Sequence, residues 1–170
     1  MLIVSMIIVE NICFCLLIAI VGAWIANLVT NADKNKSRIS FKESLDLTDL
    51  PIITLRQGSN KINLLLDTGS TKSVVLPSIM DTFKYSDTGE VGTIFGMEGN
   101  SIITKYISMD LMYNYITYTE TFQVVDMSTA FNSIKQSTGV TIHGILGNSF
   151  FEKYGYVLDF KDLVAYGRNN

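Results

Sequence analysis

The hydrophobic pattern divides the chain near residue 29. From Met1 to Val29 the residues are apolar except for Ser5, Glu10, Asn11 and Asn27, and the densest run is Ile12 to Leu28. As a helix rising about 1.5 Å per residue, this stretch would reach roughly 43 Å, enough for a bilayer and its interfaces. It therefore predicts a membrane anchor over 1–29. Residues 30–49 are polar and charged with no sustained apolar period, which reads as a linker. From residue 50 onward, short β-rich runs separated by turn residues predict a folded domain over 50–170.

Within that domain, Pro51 to Leu55 and Lys61 to Leu66 flank Gln57-Gly58-Ser59-Asn60, a turn cluster, and so predict a hairpin whose second strand runs into Asp67. Ser73 to Leu76 is a further β-branched run, and Pro77 is placed to open a brief helical turn. Ile107, Met109 and Leu111 alternate onto one face; Tyr115 to Val125 is rich in aromatic and β-branched residues, and Tyr113-Asn114 lies between the two runs. Met127, Phe131 and Ile134 recur at helical spacing. Ser149-Phe150-Phe151-Glu152 has the form of a capping box, with Gly155 as a helix stop. Tyr156 to Phe160 and Leu163 to Tyr166 predict closing strands. The pattern points to an all-β domain with one or two short helices, preceded by one transmembrane helix.

Charge refines the anchor. Lys34, Lys36, Arg38 and Lys42 follow the apolar run and no Lys or Arg precedes it, a bias that favours a cytoplasmic C-terminal domain on a single-pass membrane protein. A cleaved signal peptide is the alternative, but the run is longer than a usual signal core. Glu10 and Asn11 either precede the effective start of the helix or pair two anchors through hydrogen bonds. With a net charge of −3 and no basic cluster in the domain, no nucleic-acid partner is expected. Cys13 and Cys15 both lie in the apolar stretch, which leaves the domain no thiol for a disulfide or zinc site, and the lone His143 lacks companions for metal or Ser-His chemistry. Neither metal nor cofactor is expected. Any hydrolysis must come from carboxylates.

Leu64-Leu65-Leu66-Asp67-Thr68-Gly69-Ser70 is the segment that points to such chemistry: an apolar strand delivers an acid to a glycine-containing turn. It resembles the signature of the retropepsin-like aspartic peptidases, two apolar residues followed by Asp-Thr-Gly-Ser. His143-Gly144-Ile145-Leu146-Gly147-Asn148-Ser149 resembles that family's second landmark, two apolar residues and a glycine leading into a short helix beneath the active site. The resemblance covers roughly Leu50 to Tyr166. It implies a retropepsin-like β-barrel, with a flap for which Ile94, Phe95, Gly96 and Met97 are the best-placed residues. A surface loop is the other reading of that segment.

The resemblance also implies roles. Asp67 is the catalytic carboxyl, Thr68 reaches across a dimer axis, Gly69 lets the backbone approach the cleft, Ser70 steadies the outer oxygen of Asp67, and Ile145, Leu146 and Gly147 support the site. Two carboxylates sharing a proton are required, and of the two Asp-Thr-Gly tripeptides only Asp67-Thr68-Gly69 follows two apolar residues and precedes Ser, Asp87-Thr88-Gly89 lying between Tyr85-Ser86 and Glu90, so the resemblance implies a homodimer with one Asp67 from each copy. The expected partners are a second copy, an extended peptide or protein substrate, and membrane lipid. The expected function is aspartic endopeptidase. A catalytically inactive peptide-binding module of the same fold is the alternative.

Overall fold

The computed structural model describes residues 16–28, 38–95 and 101–167. The chain divides into two compact units, Met1–Lys36 and Ser37–Asn170. The described part of the first is one helix, α1, over residues 16–28. At 1.5 Å per residue such a helix covers about 20 Å, short of the roughly 30 Å of a bilayer's hydrocarbon core. Among the described residues no helix is long and apolar enough to cross a membrane. This overturns the expected transmembrane helix and the single-pass membrane localisation. Glu10, Asn11, Cys13 and Cys15 lie outside the described residues.

The second unit begins earlier than residue 50. Strand β1 (Ile39–Ser40) and helix α2 (Lys42–Thr48) fall in the segment read as linker. No residue of α2 is itself buried, so no apolar period announces it; Ile39 and Phe41, just before it, are buried in the core and hold it down. Ser44 joins α2 to the next strand. Its Oγ accepts the Ile52 N–H at 2.9 Å and lies 2.9 Å from the carbonyl oxygens of both Phe41 and Ile52. Ser44→Ala is expected to cost about 1–2 kcal/mol by leaving the Ile52 N–H unpaired. A urea-unfolding midpoint equal to that of the unsubstituted chain would contradict this.

Nine further strands, a 3-10 helix and two α-helices follow. Strand β2 (Ile52–Gln57) and β3 (Asn60–Leu66) form the first hairpin, with Ile53, Leu55, Ile62, Leu64 and Leu66 turned into the core. Gly58 supplies the positive φ of 60° that the turn needs. Then come β4 (Ser73–Val75), a 3-10 helix over Pro77–Asp81 with its proline in the first turn, β5 (Ser86–Phe95), β6 (Ser101–Tyr113) and β7 (Ile116–Val124). Helix α3 (Ser128–Thr138), β8 (Gly144–Leu146), α4 (Asn148–Tyr154), β9 (Tyr156–Asp159) and β10 (Val164–Gly167) complete the unit.

One sheet has the order β1-β10-β9; the other runs β2-β3-β8-β4-β7-β6-β5, and a bridge between Arg56 and Met112 also joins β2 to β6. Two pairings in the larger sheet are parallel, β3 with β8 and β4 with β7. The main core fills one face of this sheet, including Leu64, Leu66, Met109, Phe122, Leu146 and Phe150. On the other face Phe131 of α3 packs with Ile52, Ile142 and Ile145. The segment around β8 is thus covered on both sides, which explains its unbroken apolar character.

The expected fold class is corrected accordingly. In place of an all-β, retropepsin-like β-barrel behind a transmembrane helix, the described residues form mixed parallel and antiparallel sheets with four α-helices. The helical share comes from α1, from α2, hidden in polar sequence, and from α3 and α4.

Candidate functional site

Asp67 follows the last residue of β3, at the end of the hairpin opposite the Gly58 turn. Its carboxylate is half-buried, whereas Thr68 and Gly69 are exposed. The turn holds itself by two local bonds. The Gly69 N–H donates to Asp67 Oδ1 at 2.8 Å and the Ser70 N–H to the Asp67 carbonyl at 3.2 Å. The Asp67 oxygen is thereby oriented by the turn that follows it. The Ser70 hydroxyl donates to the Lys72 carbonyl at 2.7 Å, so in one chain it braces the turn, whereas the resemblance assigned it to the outer oxygen of Asp67.

The segment from Ile145 to Ser149 stitches onto this turn through backbone alone. Leu65 and Leu66 pair in parallel with Ile145 and Leu146. Beyond the strands, the Asp67 N–H donates to the Leu146 carbonyl at 3.1 Å, the Asn148 N–H to the Ser70 carbonyl at 2.8 Å, and the Ser149 N–H to the Thr71 carbonyl at 3.3 Å. Gly147 sits where the two segments touch. A Cβ there would lie 2.4 Å from the Lys72 carbonyl oxygen and 2.7 Å from that of Ser70. Two motifs almost eighty residues apart in sequence thus make one structural unit, with Ile145 and Leu146 buried behind it.

Helix α4 starts one residue before the predicted capping box. Gly147 is its N-cap and no side chain caps it, while Gly155 ends it in the left-handed conformation at φ 55°. Ser149 is free of capping because its hydroxyl turns inward, where it accepts the Ser73 N–H at 3.2 Å. His143 serves the fold. Its Nδ1 accepts the Asn63 N–H at 3.1 Å, and burial holds its pKa below the ordinary histidine value.

The flap residues are not all placed. Ile94 and Phe95 end β5, the outer strand of the sheet, where they pair with Ile102 and Ser101 of β6; Gly96 and Met97 lie outside the described residues. Two clefts, of about 610 and about 770 Å³, are lined around Arg56 and Gly58 and include no residue of the Asp67 turn.

Sequence reasoning missed a buried acid behind the site. Glu120 is 2% exposed, and its Oε1 accepts the Ser73 hydroxyl at 2.7 Å and the Ser149 hydroxyl at 3.3 Å. Ser73 Oγ in turn accepts the Gly147 N–H at 3.2 Å. Burial raises the Glu120 pKa, an effect opposed by the Ser73 hydrogen bond and then by Lys153, Ser149 and Lys72. The signal was present: with a period of two, Glu120 falls between Tyr118 and Phe122 on the inward face of β7.

The chain matches no protein-family model and no curated protein.

Proposed function

We propose that this chain is an aspartic endopeptidase that works as a homodimer, each copy contributing Asp67. The observation that carries the reading is the backbone stitching of the Asp67-Thr68-Gly69-Ser70 turn to Leu146–Ser149, which unites the two motifs that resemble those of the retropepsin-like aspartic peptidases. A rigid turn of this kind holds a carboxylate where a symmetry mate can meet it.

In the dimer the paired carboxyls share one proton. The ionised one takes a proton from a water molecule, whose oxygen adds to the substrate carbonyl carbon. The protonated one hydrogen-bonds, then protonates, the carbonyl oxygen. Collapse of the resulting diol breaks the C–N bond as the dyad's proton passes to the departing amine nitrogen, and one diol hydroxyl gives its proton back to the carboxyls as the product carboxyl forms, restoring the single shared proton. Substrate binds extended, with main-chain hydrogen bonds supplying affinity and alternating side chains selectivity.

A peptide library incubated with the full chain tests this, with products identified by mass spectrometry and initial rates followed over a wide range of chain concentration. The expected rate rises with the square of concentration when the chain is dilute and linearly once it is dimeric. Failure to cleave any peptide would remove the enzyme and leave a peptide-binding module. A linear rate down to the lowest concentration would remove the shared site.

A further inference from the structure

We propose that Glu120 is a positioning residue for Asp67: through the Ser73 hydroxyl its buried carboxyl fixes the Gly147 amide, and its ionisation is transmitted to the turn that carries the catalytic acid. This deepens the peptidase reading and rests on it.

The direction of each hydrogen bond carries the inference. A serine hydroxyl has one proton to give. Ser73 gives it to Glu120, which leaves the lone pairs of Ser73 Oγ for the Gly147 N–H. Ser149 gives its own proton to the same Glu120 oxygen and accepts the Ser73 N–H, so strands β4 and β7 and helix α4 converge on one carboxyl. Gly147 is the residue between Leu146, whose carbonyl receives the Asp67 N–H, and Asn148, whose N–H binds the Ser70 carbonyl. The path from Glu120 to both ends of the catalytic turn therefore has no gap.

Packing alone does not call for an acid here. On β6, the uncharged Met109 pairs across from Glu120, and Tyr118 and Phe122 flank it on β7. The charged and titratable groups that influence it are Lys72 beside β4 and Lys153 on α4, with Tyr154 on α4 feeling its charge in return. Lys153 Nζ and the Tyr154 hydroxyl both donate to the Thr119 carbonyl, the latter at 2.7 Å, so neither occupies the carboxyl's own hydrogen bonds. Ionised, Glu120 makes charge-assisted bonds to Ser73 and Ser149, which are about twice as strong as neutral ones. Such bonds tighten the hold on Gly147.

The test is a proton titration of the Gly147 amide by NMR in the full chain carrying Asp67→Asn, where the catalytic carboxyl no longer titrates. The Gly147 resonance is expected to move with one midpoint above the usual carboxylate range, and to stay flat once Glu120→Gln is added. Ser73→Ala in the same background is expected to uncouple Gly147 while Glu120 still titrates. In the chain with Asp67 intact, Glu120→Leu is expected to lower kcat tenfold or more with KM within about twofold, and Glu120→Gln to keep kcat within about threefold because its amide oxygen still accepts both hydroxyls. A Gly147 titration unchanged by Glu120→Gln overturns the proposal, as does a kcat indifferent to both substitutions. If Gly147 follows Glu120 but the unsubstituted chain cleaves no peptide, the peptidase reading has failed and the catalytic role of Glu120 falls with it.

Discussion

Asp67→Asn is expected to lower kcat/KM by about a thousandfold or more while leaving the fold intact. The geometry separates the two effects. Asparagine keeps an oxygen where Asp67 Oδ1 accepts the Gly69 N–H at 2.8 Å, and the bonds from the Asp67 backbone to Leu146 and Ser70 do not involve the side chain. What is lost is an exchangeable proton and a negative charge at both positions of the proposed dyad, functions worth about 10²–10⁴-fold in general acid–base catalysis. Mixing supplies a sharper measurement. If each active site draws one Asp67 from each copy, equal amounts of active and Asp67→Asn chains that exchange freely leave only about a quarter of the dimers fully competent. The mixture should then show about half the activity of the same amount of active chain alone at saturating dimer concentration. Undiminished activity would mean that one Asp67 suffices.

The chain's alternation exposed the strands that carry the site but not the contacts that complete it. Ile62, Leu64 and Leu66 repeat at a period of two, so β3 and the acid at its end could be read directly. Ile145-Leu146-Gly147 stood out as an apolar run closed by glycine. Their union is a parallel pairing between remote segments, and local periodicity holds no information about such a partner. Glu120 was hidden for another reason: an acid within a polar-looking Thr119-Glu120-Thr121 run suggests solvent, and only hydroxyls from β4 and α4 make its burial tolerable. Strand β5 escaped because Gly89, with φ 74°, interrupts its alternation where the register shifts between Asp87 and Val91.

Gly147→Ala should destabilise the protein by about 3 kcal/mol or more, the upper range for introducing atoms into a packed site. The reason is space rather than backbone freedom. Gly147 has φ −97°, which any residue adopts. The added Cβ would lie 2.4 Å from the Lys72 carbonyl oxygen and 2.7 Å from the Ser70 carbonyl oxygen. Neither can yield by rotating a side chain. Moving Ser70 away strains the 2.8 Å bond it accepts from the Asn148 N–H, and moving Gly147 strains the 3.2 Å bond from its own N–H to Ser73 Oγ. Relief thus requires the two segments of the site to part. Gly69→Ala supplies the contrast, because the only atoms its Cβ would approach within 4 Å belong to the Asp67 side chain, the nearest being Oδ1 at 3.1 Å. That substitution is expected to cost under about 1 kcal/mol in stability yet to disturb the carboxylate itself. Urea unfolding of the two variants, combined with their cleavage rates, should therefore place Gly147→Ala among the unfolded or weakly folded chains and Gly69→Ala among the folded but impaired ones. Equal unfolding midpoints would mean that the junction between Asp67-Thr68-Gly69-Ser70 and Gly147 is looser than its backbone contacts require.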